Sequence, residues 1–154
     1  LVKDDSLKLV LAGAQIINGN SLVLDEIKTF IFQNKLENKV ILAGYVSNAE
    51  WGIFYKNASI YVFASLVEGF VRWVLEALLF SVPVICSDID VFNEVGGEYV
   101  EYFKVGDSIS LSKKINSILK SENLKQKNNI KHLNKFSRKN FIKGFERIIL
   151  DSND

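Results

Sequence analysis

The sequence is poor in the residues and segments that mark several protein classes. Cys86 is the single cysteine, so an internal disulfide is excluded and a reducing compartment is favoured. With one histidine as well, the chain has neither the Cys and His spacing of a metal site nor a Cys–His catalytic pair. No apolar run reaches the roughly 18 residues that cross a bilayer, and the first ten residues lack the basic-then-apolar pattern of a signal peptide. We therefore expect a cytoplasmic protein.

Composition and charge limit the choice of partners. With 48% hydrophobic and 24% charged residues in 154, the chain has the composition of one globular domain with its own core. Its net charge is +1, yet the segment from Lys113 to Arg147 holds eleven basic and two acidic residues. Such a segment indicates a nucleic-acid or anionic-membrane surface, a solvated helical face, or a face that covers another part of the protein. Few aromatic residues lie among the lysines to stack on bases, so we expect no nucleic-acid partner. His132 lies in this polar, basic stretch, and we predict that it is on the surface.

Short apolar runs alternate with longer helical patterns along the chain. The predicted strands span residues 7–13, 39–45, 59–65, 82–88 and 98–103. Helices are predicted at 21–35, 47–57, after the third strand, and at 108–120, 121–135 and 138–150. The strands are continuous apolar runs, which is typical of strands buried on both faces. The sequence therefore predicts an α/β fold with a parallel sheet and helices on both sides, and ligands are expected at the carboxyl ends of the strands.

The segment SLVEGFVRWVLEAL, between the third predicted strand and its helix, carries two glutamates among apolar residues. Glu68 and Gly69 are predicted to lie in the turn, with Glu76 about two helical turns into the helix. Backbone N–H groups at a helix start bind anions, and glycine lets a ligand approach the backbone closely. A carboxylate, amides and a second carboxylate match the order of sugar hydroxyl, diphosphate and ribose hydroxyl in a nucleotide sugar.

The same residues also allow a purely structural interpretation. Arg72 and Glu76 are spaced i, i+4 and would form a surface ion pair worth about 0.2–0.5 kcal/mol. Glu68 would then simply cap the helix. The helix dipole disfavours a cation in the first turn, and a bound diphosphate would reverse that penalty. Spacing alone leaves both interpretations open.

An ordered set of motifs carries a resemblance that covers nearly the whole chain. The run EGFVRWVLEA is similar to the E-G-F-G-[LIV]-P-x-x-E-A motif of family four of the retaining GT-B glycosyltransferases, the glycosyl transferases group 1. The run NKVILAGYVSNAEWGIFYKNASIYVFAS resembles the family's strand, G-Y-V-S turn, helix and Y-x-N-A-D-x-x-V-x-P-S strand. Three later runs resemble the family's G-V-P-V-V-A-S-D run, the stretch after its sixth strand and its terminal helix: SVPVICSDIDVFNEVGG, EYFKVGDSISLSKKI and FSRKNFIKGFERIIL. The resemblance implies a Rossmann-like, mostly parallel sheet that forms the C-terminal, donor-nucleotide-binding half of a GT-B fold.

The resemblance also implies roles for individual residues. Glu68 would be the catalytic-site carboxylate that holds hydroxyls of the donor sugar, and Glu76 would take the ribose hydroxyls. The nucleobase pocket would be lined by Tyr45, Val46 and Ser47. The other implied donor-binding residues are Gly69, Phe70, Val71 and Arg72. The family transfers a sugar, usually a hexose from UDP or GDP, with retention of configuration and without a metal.

Three residues depart from the family motif. Val71 replaces its second glycine, Arg72 an aliphatic residue and Trp73 a proline. If residue 71 needs a conformation suited to glycine, the β-branched valine would be strained and the donor geometry altered. The alternative to an active transferase is therefore a degenerate, non-catalytic domain that binds a nucleotide sugar.

The start of the chain and its basic segment complete the expectations. Residues 1–154 resemble a C-terminal domain that lacks the family's first strand and helix, so we expect an interrupted sheet, or one that another chain completes. The acceptor-binding N-terminal domain is absent, so this fragment alone is expected to be inactive. Residues 137–154 resemble the terminal crossover helix. The basic segment is expected to contact the chain's own N-terminal domain or an anionic membrane surface, which would place the enzyme peripherally at the inner membrane.

Overall fold

The local sequence patterns produce parallel strands and helices in two separate units. The computed structural model describes residues 6–13, 22–121, 129–140 and 142. The chain divides after Phe54 into two compact units, and each is described by itself. In the first unit, strand β1 (Leu9–Ala12) pairs in parallel with β2 (Val40–Gly44).

Two helices accompany these strands. Helix α1 spans Leu22–Gln33, and helix α2 spans Asn48–Asn57, so α2 crosses the division between the units. Both helices and both strands were predicted. The prediction that β1 is a buried strand is wrong, because Leu9 is 52% exposed and its two neighbours are exposed as well. A sheet of two described strands covers little side-chain surface.

The second unit is built on a three-stranded parallel sheet in the order β3-β4-β5. The strands are β3 (Tyr61–Phe63), β4 (Val84–Ser87) and β5 (Glu101–Phe103). All four residues of the central strand β4 are buried, as its continuous apolar run predicted. The described strands thus form two sheets instead of one, in agreement with the expected interruption.

The helices of the second unit pack on this sheet. They are α3 (Arg72–Leu79), α4 (Asp90–Gly96), α5 (Ser108–Lys120) and α6 (Ile130–Lys135). Buried Val74, Ala77 and Leu78 form the inner face of α3, which contacts β4 and α4. Asp107 caps α5 by accepting a hydrogen bond from the Ser110 backbone N–H at 2.8 Å, and this helix has its predicted bounds.

Two element predictions need correction. Helix α4 was not predicted, because Asp90–Gly96 is short and follows a strand end where a loop was expected. The predicted strand 98–103 begins only at Glu101, and Gly97–Tyr99 forms a 3-10 turn instead. Gly97 has φ +53°, a left-handed conformation that suits glycine and ends α4.

The surface position predicted for His132 is wrong. Its side chain is 7% exposed, and its Nε2 lies 2.6 Å from the Val95 carbonyl oxygen. The ring packs against Tyr99 and Phe136, with centroids 4.8 and 5.3 Å away. The buried Asn129 side chain donates a hydrogen bond to the Leu78 carbonyl at 2.7 Å. The inner face of α6 is therefore polar but buried, because its partners are carbonyl groups at the ends of α3 and α4.

Parts of three predictions lie outside the described residues. Residues 122–128 of the predicted helix 121–135 are not described, and neither is most of the predicted helix 138–150 with the implied crossover helix at 137–154. In the part of the chain that is described, no helix is long and apolar enough to cross a membrane.

Candidate functional site

The loop from β3 to α3 places Glu68 at the carboxyl end of the sheet. Ser65 Oγ donates a hydrogen bond to Glu68 Oε1 at 2.7 Å, so one carboxylate oxygen is held by the loop itself. At Gly69 an added Cβ would meet no atom within 4 Å, which leaves open space beside the backbone. Phe70 is exposed, and its ring lies 6.4 Å from that of Phe136. The loop therefore has the open backbone and the carboxylate that the sequence indicated.

The idea that Glu68 caps α3 is wrong. The N-cap residue is Val71, and no side chain makes a capping hydrogen bond to the helix. Because Glu68 lies three residues before the cap and bonds to Ser65, its carboxylate is held within the loop and not at the helix start.

Val71 is not strained. Its φ is −97° and its ψ 68°, so it does not use the left-handed region that favours glycine. Its side chain is 1% exposed and belongs to the core. The valine therefore changes what residue 71 packs against, while its backbone keeps a conformation open to any residue.

Arg72 and Glu76 form the predicted i, i+4 ion pair. Arg72 Nε lies 2.9 Å from Glu76 Oε1, and the two side chains are 62% and 30% exposed. The Arg72 guanidinium also lies over the Trp73 ring, 4.9 Å from its centroid. Pairs this exposed stabilise a helix by only about 0.2–0.5 kcal/mol. Glu76 is the fifth residue of α3, so it lies just over one turn into the helix and not two turns as predicted.

Two tyrosines that the sequence interpretation missed lie within electrostatic range of these carboxylates. Tyr55 is buried, donates a hydrogen bond to the Trp73 carbonyl at 3.4 Å, and has its ring centroid 5.5 Å from that of Tyr61. Burial raises the pKa of Tyr55 above its ordinary value, and the Tyr61 hydroxyl and the Glu76 carboxylate raise it further. The Tyr55 hydroxyl is thus neutral and lies close to Glu76.

The charges of both carboxylates affect the pKa of Tyr61. Burial is the main cause that raises its pKa to about 12; a hydrogen bond with Tyr55 opposes the rise, and Cys86, Glu76 and Glu68 add to it. Both carboxylates therefore raise the pKa of one phenol, that of the first residue of β3. Tyr55 lies in the Y-x-N-A run that carries part of the family resemblance. This run is the only sequence signal that pointed to either tyrosine.

The turn predicted to line a nucleobase pocket lies in the first unit. Tyr45 is 76% exposed, whereas Val46 is buried. Glu50 Oε2 accepts hydrogen bonds from Ser47 Oγ at 2.6 Å and from the Ser47 backbone N–H at 2.9 Å. Both hydrogen bonds lower the pKa of Glu50, and the bond from the hydroxyl has the larger effect. The structure therefore groups Tyr45, Val46 and Ser47 in one unit and residues 68–76 in the other.

The turn after β4 is also at the carboxyl edge of the second sheet. The Asp88 backbone N–H bonds to the Phe103 carbonyl at 2.8 Å, and Asp88 Oδ1 accepts from Asn93 Nδ2 at 2.8 Å. Asp88 therefore connects the end of β5 with the middle of α4. Within the described ranges, no group of His, Cys, Asp and Glu side chains is arranged to hold a metal ion.

Known proteins share this fold and these motifs. The chain is 32% identical over 117 residues to the O-antigen chain mannosyltransferase RfbU of Salmonella typhimurium, which covers 76% of the chain and 32% of RfbU. The sucrose-phosphate synthase of Thermosynechococcus elongatus superposes on 96% of the chain and 39% of its own, with a TM-score of 0.79 and 19% identity. HepE of Anabaena, solved in complex with UDP, superposes on 79% of the chain and 34% of its own, with a TM-score of 0.71 and 21% identity.

These matches concern a part of longer proteins, since the chain spans about a third of the length of RfbU and of HepE. The structural neighbours establish the fold as half of a GT-B glycosyltransferase fold. Residues 1–138 match the family described as glycosyl transferases group 1. The match covers most of the 154 residues, so this chain belongs to the glycosyl transferases group 1 family.

Proposed function

We propose that the chain is the donor-binding half of a glycosyltransferase that moves a sugar from a UDP- or GDP-linked donor to an acceptor with retention of configuration. The observation that carries this proposal is the pair Glu68 and Glu76. Glu68 lies in the open loop at the carboxyl edge of the sheet and Glu76 on the helix that follows it, and the charges of both raise the pKa of Tyr61. HepE, with the same fold, was solved in complex with UDP, which makes UDP the first nucleotide to test.

In this proposal each part of the loop meets one part of the donor. Glu68 accepts hydrogen bonds from hydroxyls of the sugar, and Glu76 accepts them from the ribose. The backbone N–H groups from Gly69 to Val71 and the start of α3 stabilise the diphosphate as its charge grows on leaving. Phe70 contributes through its backbone.

Calorimetric titration of the full-length protein with UDP and GDP tests the donor site. We expect binding of one of them, and we expect Glu76→Ala to weaken it by at least about tenfold, because two hydrogen bonds to a charged group are lost. Glu37→Ala, at an exposed glutamate of the first unit, is the matched control and should leave binding unchanged. Equal affinity of wild type and Glu76→Ala would contradict the site.

Turnover separates an active transferase from a degenerate binding domain. We expect the full-length protein to transfer a hexose and the product anomer, determined by NMR, to keep the donor configuration. We propose that no metal takes part, so EDTA should leave the rate unchanged. Nucleotide binding without turnover under any donor would favour the degenerate alternative. The isolated 154 residues are expected to be inactive, because acceptor binding is assigned to an N-terminal domain.

The basic carboxyl-terminal segment supports a further contact. Its described lysines and arginines include six exposed residues: Lys113, Lys120, Lys131, Lys135, Arg138 and Lys139. A surface of this charge suits an acidic face of the protein's own N-terminal domain or anionic lipid at the inner membrane.

A further inference from the structure

Arg72 and Glu76 form an ion pair in this structure, although the family motif has an aliphatic residue at the position of Arg72. Arg72 Nε binds Glu76 Oε1 at 2.9 Å, and the guanidinium lies over Trp73. This arrangement uses one oxygen of the carboxylate to which we assign the ribose. A ribose presents two neighbouring hydroxyl donors, and the guanidinium takes up acceptor sites of the carboxylate that those hydroxyls would use. The ion pair therefore competes with the ribose for Glu76.

Arg72 has a reason to leave Glu76 when a donor arrives. It is the first residue of α3, where the positive end of the helix dipole disfavours a cation. Its side chain is largely exposed, so solvent already screens the ion pair and the pair is weak. A diphosphate offers several charged oxygens, and guanidinium–phosphate bonds are short, frequently bidentate and stronger than a single exposed carboxylate contact.

We propose that Arg72 is a latch on the donor site. Without ligand it holds Glu76, and the diphosphate of the donor draws the guanidinium away and so frees Glu76 for the ribose. The diphosphate thereby prepares the site for the ribose of the same donor. The inference rests on the proposed function, because it assumes that the loop binds a nucleoside diphosphate.

The latch predicts opposite effects on two ligands that differ only in the diphosphate. In the Arg72→Leu variant the Glu76 carboxylate has no ion pair to break, but the contact between residue 72 and the diphosphate is lost. UDP binding should weaken by about tenfold or more, as expected for losing a charge-assisted bond. Uridine binding should become about 1.5- to 2-fold tighter, because it no longer competes with the ion pair.

The experiment is calorimetric titration of the full-length protein with uridine and UDP, or with guanosine and GDP if GDP is the nucleotide that binds. Arg72→Lys keeps the charge without the planar fork and should give a smaller loss for the diphosphate. Arg138→Leu removes an exposed arginine elsewhere and is the control for net charge. The salt dependence of UDP binding should also be smaller in Arg72→Leu than in the control.

Three outcomes would overturn the latch. Equal weakening of both ligands would make Arg72 a support for Glu76, and no change in either would make the pair incidental. Tighter binding of both would mean that Arg72 only blocks the site. If wild type binds neither nucleoside nor diphosphate, the proposed function fails and the latch with it, whereas the first three outcomes leave the donor site intact.

Discussion

Residue 71 shows how a side chain can depart from a family motif without disturbing the backbone. Val71 takes the place of the motif's second glycine, yet its φ of −97° is open to any amino acid. Its buried side chain adds to the core beneath the loop. The departure is thus a gain in packing, and the loop needs no glycine at this position.

Restoring the glycine should therefore harm the protein. Val71→Gly is expected to lower the free energy of unfolding by about 2–4 kcal/mol, because it removes a buried side chain and adds backbone freedom to the unfolded chain. Val67→Gly, at a residue of the same loop that is 86% exposed, is the control and should cost less than about 1 kcal/mol. Urea unfolding followed by fluorescence measures both, and equal losses would show that burial of Val71 is unimportant.

At the level of elements, helix α2 begins with a Ser-x-x-Glu arrangement. Glu50 accepts from both the hydroxyl and the backbone N–H of Ser47, as in half of a capping box. Its pKa is lower in the folded than in the unfolded chain. The stabilisation is therefore complete above the unfolded pKa and is lost as the pH falls through the lower, folded pKa.

Removing the hydroxyl should raise that pKa. In Ser47→Ala we expect the Glu50 pKa to move up towards its ordinary value, because the largest of the lowering contributions is lost while the backbone bond remains. An NMR titration of the Glu50 carboxyl carbon measures the midpoint. Asn48→Ala, at the exposed neighbour, is the control and should leave it in place. A midpoint unmoved by Ser47→Ala would contradict the hydrogen bond.

Helix α6 illustrates an element whose surroundings the sequence did not reveal. Its run IKHLNK is polar and basic, which predicted that His132 is on the surface. The structure buries His132 and Asn129 because each finds a backbone carbonyl at the end of another helix. Buried polar groups are tolerated when they are hydrogen-bonded, and such pairing depends on elements far away in sequence.

At the scale of the whole molecule, charge is concentrated at one end of the chain. If the basic segment contacts anionic lipid, the full-length protein should bind vesicles containing phosphatidylglycerol, and rising salt should release it. Replacing three exposed residues by glutamine should weaken binding by about tenfold or more, since each is worth about 1 kcal/mol near such a surface: Lys131, Lys135 and Arg138.

A triple variant with the same change in net charge is the control for this measurement. It replaces three exposed lysines outside the basic segment by glutamine: Lys28, Lys35 and Lys56. Equal weakening in both variants would show a response to net charge alone. Weak binding that salt does not affect would argue against the lipid contact.

The sequence by itself determined the α/β class, the parallel strands and the position of the loop that carries Glu68. These follow from local periodicity and from the order of motifs, both of which are properties of neighbouring residues. It also brought Arg72 and Glu76 within reach of each other, because the i, i+4 spacing on a helix does so in any context.

Only the tertiary structure decided how those residues are used. It brought Tyr55 and Tyr61 within electrostatic range of the carboxylates, buried His132, and showed that Val71 is unstrained. It also shows that Glu76 is paired with Arg72. The physical reason is that burial, backbone angles and long-range hydrogen bonds depend on which elements pack together, and no local pattern encodes that choice.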